Sequence, residues 1–252
     1  MLTWIKNFVA RWTGQSFNPL FSAPVQGPWI SPEGVAWIAN FEAGGRAYYD
    51  RRLRMPTWPG GASGVTIGIG YDVGYNTVEQ LLADWATLIP ATTLARLQKV
   101  CGIKGTAAKS RVAALADIRI PWEAALKVFQ TRSVPRFGKE MVKAFPGAEL
   151  LPIAAQEALL SLVFNRGASL SGESRREMAE IRKLVGYYRG SSDRPRLLGL
   201  IADEVVKMKR LWVGKGLDGL LTRRDQEAAR IRNGFRIDES LVAAGGLIPM
   251  LA

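Results

Sequence analysis

Residues 152–166, PIAAQEALLSLVFNR, are the most apolar helical pattern in the chain. A helix that is apolar nearly all round has to be wrapped by other elements. This one is therefore expected at the centre of a larger helical lobe. Other helical patterns surround it in sequence. One starts at Ser31-Pro32-Glu33, where a capping serine precedes a proline at the first helical position and an acid in the first turn. Thr77 caps a second through about Ile89, and residues 91–101 read as a third. A long pattern opens at Trp122, with Pro135 placed to break it. Residues 172–186 and 196–212 are amphipathic, Gly190–Asp193 is a loop, and a last helix starts near Arg223. No internal repeat or low-complexity run is evident.

Composition narrows the chemistry before any motif does. The 252 residues contain no histidine, which excludes Ser-His-Asp and Cys-His triads and zinc sites built on imidazole. The single cysteine, Cys101, reads as a small core residue and cannot close an intrachain disulfide. Acid–base work near neutral pH is left to Asp, Glu, Lys and Tyr. Glycoside hydrolysis needs only two carboxylates. The net charge of +12 favours encounter with polyanions, whether nucleic acid, anionic lipid or an anionic cell wall.

The stretch from Glu42 to Asp72 joins two carboxylates through a Gly- and Pro-rich, hairpin-forming segment. Val35, Ile38 and Phe41 supply the buried stripe of the preceding helix, Trp37 widens it, and Gly44-Gly45 stops it. Glu42 falls in the last turn, at the negative end of the helix dipole, where a raised pKa is expected. A raised pKa suits a general acid. After Tyr48-Tyr49-Asp50 comes a basic insert, RRLRMPTWPGGAS, and then GVTIGIGYD. Read as one strand, the last segment puts Val65, Ile67 and Ile69 on one face and Thr66, Gly68 and Gly70 on the other, where a sugar chain could approach the backbone. Gly68, Gly70 and Gly74 have the wrong spacing for a dinucleotide loop, and no Lys-Ser/Thr follows.

FEAGGRAYYD followed by GVTIGIGY resembles the catalytic signature of phage-type lysozymes of the T4 class. ALLSLVFNRGASL resembles that family's central helix, and GLDGLLTRRDQEAARI its closing helix. The likeness spans roughly residues 31–233. It implies a mostly α (α+β), two-lobed lysozyme-like fold with a small β-hairpin lobe and a larger helical lobe. It also implies hydrolysis of the β-1,4 bond between N-acetylmuramic acid and N-acetylglucosamine, with no metal or cofactor. Glu42 matches the general acid and Thr66 the threonine that helps hold the attacking water. The second carboxylate departs from the phage pattern. Asp50 follows Glu42 by 8 residues, as in the phage enzymes, but the insert puts it 16 ahead of Thr66. Asp72 lies 6 residues after Thr66, which is similar to the order in the pesticin muramidase domain. Strand parity also puts Asp72 on the Thr66 face. Asp72 is the preferred base, with Asp50 the alternate. Tyr71 stands where many phage enzymes carry histidine.

In this reading, Glu42 protonates the departing oxygen while Asp72 and Thr66 orient water on the opposite sugar face. That implies inversion and a carboxyl separation of about 6.5–9.5 Å, against about 5 Å for retention. Asn165 and Arg166, with Gly68 and Gly70, are candidate substrate contacts, and Arg223 and Arg224 are expected to tie the last helix to the core. The expected partner is the peptidoglycan glycan strand, bound by a monomer, with no specific nucleic acid. Residues 1–30 form an amphipathic segment and linker, 31–235 the muramidase domain, and 236–252 a tail that is loosely held from Gly245. Lys6 and Arg11 interrupt the apolar pattern at the N-terminus, so no secretory signal is expected. The protein is then made in the cytoplasm and delivered to the periplasm or wall, through a holin pore or a secretion system, with residues 1–30 available for that role. Phage endolysin, injected effector and bacteriocin all remain open, and an effector implies an immunity protein. Three other readings remain: a lytic transglycosylase, a basic nucleic-acid binder, and a membrane-active cationic protein acting through residues 2–12.

Overall fold

A computed structural model describes residues 29–236 and 248–250. The expected amphipathic segment over 2–12 lies outside the described residues. The described residues are mostly helical, with two small antiparallel pairs of strands among them. Strand β1, Trp29–Ile30, pairs with β4, Ile248–Pro249. Met250 is fully buried beside them, so this part of the tail is anchored rather than loosely held. Two residues of strand carry no readable period, so the sequence holds no sign of this anchor.

Helix α1, Pro32–Glu42, forms as its start signals predict. Ser31 accepts the Gly34 N–H and Pro32 occupies the first turn. Val35, Ile38 and Ala39 are buried, and the chain leaves the helix through Gly44 and Gly45, both at positive φ. A short helical turn, Arg46–Tyr48, then runs into a π-helical turn at Tyr49–Leu53. The hairpin follows as β2, Thr66–Ile67, and β3, Tyr71–Asp72.

The next helices are α2 (Val78–Trp85), α3 (Ala91–Gln98) and α4 (Gly105–Arg111). Thr77 and Gln80 form a reciprocal capping box at the start of α2. Helix α2 ends at Trp85 rather than Ile89, and α4 was not anticipated. Helix α5, Trp122–Val128, continues through a π-turn at Phe129–Ser133 into α6, Val134–Ala144. Pro135 was expected to break this helix. It instead sits in the first turn of α6, where the widened register takes up its missing N–H.

Helix α7, Ile153–Arg166, is the hub, and every residue from Ile153 to Val163 is buried. Helices α8 (Arg176–Tyr188), α9 (Arg194–Lys207) and α10 (Asp218–Arg232) follow; α10 packs on α7, α9 on α10 and α8 on α9. The last helix thus begins at Asp218, ahead of the Arg223 start read from sequence. One continuous apolar cluster joins the hairpin residues Val65, Ile67 and Val73 to Leu159 and Leu162 of α7 and Ile231 of α10.

Candidate active site

Glu42 is the last residue of α1, and its Oε1 accepts a hydrogen bond from Nη2 of Arg223 at 2.9 Å. The partners are 181 residues apart in sequence. Arg223 itself is only 6% exposed, while the Glu42 side chain is 28% exposed. The same guanidinium donates to the Ser161 carbonyl at 2.8 Å and lies 4.7 Å from the centroid of the Phe41 ring. A rigid, buried cation therefore holds one oxygen of a partly open carboxylate. Among the described residues the other oxygen has no hydrogen-bond partner. Arg223 thus ties the last helix to the core as expected, and it also reaches Glu42, a contact that no sequence period signals.

Behind Arg223 lies a fully buried polar cluster. Ser161 donates to Oε1 of Glu227 at 2.6 Å, which also accepts from Arg224 at 2.9 Å and Arg223 at 3.2 Å. Burial pushes the Glu227 carboxyl up and the Arg224 guanidinium down to about 10. Each shift is toward shedding the charge, and the attraction between the two opposes both. A second buried carboxylate, Glu157, accepts from the Ser31 backbone at 2.8 Å and hydroxyl at 2.7 Å. Arg230 reaches the same carboxylate at 2.7 Å. Glu157 therefore joins the start of α1 to α10, and Arg223 joins the end of α1 to the same helix. Both ends of the helix that presents Glu42 are braced.

The hairpin brings Thr66 and Asp72 together as directly opposed cross-strand partners, which places them on one face. Thr57 from the basic insert bridges to Thr66 from the other side, so three polar residues form a row. The expected face was right, but not for the expected reason: the segment is not one strand. Gly68 and Gly70, at φ +58° and +74°, reverse the chain between β2 and β3. Gly68 is not a ligand-facing position. A Cβ there would come within 3.1 Å of both Trp85 and Ala125, so it is a core-packing glycine. Gly70 is exposed in the turn.

The Asp72 carboxylate accepts from the Gly64 N–H at 3.0 Å and from the Gly74 N–H at 2.9 Å. These bonds fix its orientation and clamp the insert to the hairpin. A Cβ at Gly64 would lie 2.4 Å from both Asp72 Oδ1 and the Gly74 backbone. Gly64→Ala should therefore cost about 2–3 kcal/mol in denaturant unfolding, since neither neighbour can withdraw without opening the clamp. The Thr66 hydroxyl oxygen is buried with no partner among the described residues.

The other candidates each make a contact outside the hairpin. Asp50 lies in the π-turn and pairs with Arg46 at 2.9 Å; Arg46 also bonds Glu123 at 3.0 Å. Tyr71 donates to Asp84 at 2.9 Å, and burial pushes its pKa well above the usual phenol range, so it acts as a structural donor rather than a base. Asn165 accepts from Arg224 at 3.3 Å. Arg166 donates to the Ser174 carbonyl and stacks over Trp212, 5.0 Å from the ring centroid. Both tie the end of α7 to its neighbours. A recess of about 580 Å³ is lined by Arg176, Glu177, Glu180, Glu204, Lys207 and Arg210. It contains none of the candidate catalytic residues, and its acids are paired with bases. Among the described residues no group of acids and cysteine is placed to hold a metal ion.

A family model described as a domain of unknown function, DUF8812, matches residues 37–140. That span includes Glu42, Asp50, Thr66 and Asp72 but stops before α7 and α10, which supply Ser161, Arg223 and Glu227. No curated protein matches the chain.

Proposed function

We propose that this protein is a peptidoglycan-cleaving glycoside hydrolase, a muramidase acting between N-acetylmuramic acid and N-acetylglucosamine. The observation that carries the reading is Glu42, held on one oxygen by buried Arg223 and open on the other. A hairpin pairing Thr66 with Asp72 supports it. Glu42 donates its proton to the departing glycosidic oxygen, and Arg223 stabilises the carboxylate left behind. Asp72, fixed by two backbone donors, orients water, and the Thr66 hydroxyl opposite it joins once its enclosed side chain turns toward the substrate. Inversion follows from water attack on the face opposite the acid. A two-lobed arrangement goes with this reading, with residues 46–111 as the small lobe and the helices around α7 as the large one. The hairpin's position in sequence between α1 and α5 supports it.

Comparison of Asp72→Asn with Asp50→Asn on purified peptidoglycan tests the assignment of the base. Asparagine at 72 keeps an oxygen for the Gly64 and Gly74 donors and removes the base, so activity should fall by about 10²-fold or more. Asp50→Asn should retain most activity, and the opposite pattern would move the base to Asp50. Thr66→Val should lower turnover about 10-fold, as loss of one water-positioning bond does. Stability should stay within about 1 kcal/mol, because the hydroxyl removed has no protein partner to strand.

The double use of Asp72 by backbone donors favours one other enzyme, a lytic transglycosylase, which works with a single glutamate. It would yield anhydro-muramic ends and tolerate Asp72→Asn.

A further inference from the structure

The basic insert that sets this chain apart from the phage pattern is built into the fold beside Asp72, where its half-buried Trp58 shares one loop with exposed Tyr75 and lies beside two exposed lysines of the α4 region. Gly64, which bonds the Asp72 carboxylate, also bridges to Lys104 at the start of α4. The Gly105 N–H donates to the Ser63 carbonyl at 2.9 Å. Tyr75, three residues past Asp72, donates to the Ala62 carbonyl at 3.3 Å and is 59% exposed. The indole N–H of Trp58 donates to the Ser63 carbonyl at 3.0 Å. Two rings are thereby fixed by their polar ends on one loop. Each has a lysine over it: Lys104 Nζ is 3.8 Å from the Tyr75 centroid and Lys109 Nζ is 5.5 Å from that of Trp58. Both lysines are exposed, and neither has an acidic partner among the described residues.

We propose that Trp58, Tyr75, Lys104 and Lys109 form a binding ledge for the acidic part of the glycan strand, namely the carboxylates of its stem peptides and of muramic residues that carry no peptide. The inference rests on the muramidase reading and adds a specificity determinant to it. Aromatic faces suit the apolar faces of pyranose rings, and fixing the ring in advance lowers the entropy lost on binding. The ammonium groups supply what a neutral sugar polymer would not need. An ammonium over an exposed ring gains only modest energy from the π face, so it remains available to a carboxylate. The hydrogen bonds through Ser63 and Gly64 link the ledge directly to the clamp on Asp72. A strand held there would be presented to the row of Thr57, Thr66 and Asp72.

Binding by Glu42→Gln, which does not consume the ligand, tests this. The probes are soluble muropeptide-bearing glycan oligomers and neutral N-acetylglucosamine oligomers of the same length. The parent should prefer the acidic oligomers, and the preference should weaken as salt rises. Adding Lys104→Gln and Lys109→Gln should weaken acidic-oligomer binding about 5- to 10-fold and leave the neutral oligomers unchanged, the scale of two exposed charge contacts. Adding Tyr75→Ala should weaken both probes, whereas Tyr75→Phe, which keeps the ring but loses the bond that fixes it, should fall between the parent and Tyr75→Ala. If the parent binds the acidic oligomers and the lysine variants bind them equally well, the ledge is wrong and the catalytic reading stands. If the parent binds no acidic oligomer and the wild type releases no glycan product, the muramidase reading fails and the ledge fails with it.

Discussion

Glu42→Gln should reduce peptidoglycan cleavage by on the order of 10²–10⁴-fold, the usual worth of a positioned general acid. The substitution is nearly isosteric and keeps an amide oxygen for Arg223, so the helix end and its guanidinium should stay in place. Its effect on stability should be within about 1 kcal/mol, because the ion pair is partly solvated on the Glu42 side. Activity and stability thus separate: the variant should melt like the wild type yet release almost no product. Substantial residual cleavage by a normally folded Glu42→Gln would remove Glu42 from the chemistry.

Glu227→Ala should show the reverse pattern, a large loss of stability. Glu227 and Arg224 are fully buried, and Arg223 is nearly so. Removing the carboxylate leaves two guanidinium groups facing each other without their shared counter-charge, which costs about 3–5 kcal/mol. For a chain of this size that corresponds to a fall in Tm of about 10 °C. Ser161 also loses its 2.6 Å acceptor. Because Arg223 leaves this cluster to reach Glu42, the surviving folded fraction should also lose activity. Glu227→Gln keeps the shape and one acceptor and should fall between the wild type and the alanine variant. A loss below about 1 kcal/mol for Glu227→Ala would show that the cluster does not need its anion.

The local parts of this structure were legible in the sequence. Ser31-Pro32 and Thr77 announce helix starts because capping uses residues three apart, well within a reading window. The largely apolar run of α7 marks it as a buried centre. The hairpin is legible but its turn is not: alternation alone makes Gly68 and Gly70 open strand positions, whereas their positive φ makes them the reversal. Apolar alternation through Val65, Ile67 and Ile69 concealed this, since all three are buried although the chain folds back at Gly68. The pairing of Glu42 with Arg223 was illegible because periodicity describes one element at a time. A glutamate inside the apolar run of α7 and a Glu227 spaced four residues from Arg223 were the available signals. A carboxylate on a buried face requires a partner, and Arg230 and Arg223 supply them. The anchoring of residues 248–250 on β1 left no comparable trace in composition.

Digestion of purified peptidoglycan in heavy-oxygen water, with mass analysis of the released glycans, tests hydrolysis at Glu42 most directly. Water attack should leave reducing muramic ends that each carry one heavy oxygen, and Glu42→Gln should yield fewer of them by on the order of 10²-fold or more. Anhydro-muramic ends without label, or intact peptidoglycan after exposure to the folded wild type, would contradict it.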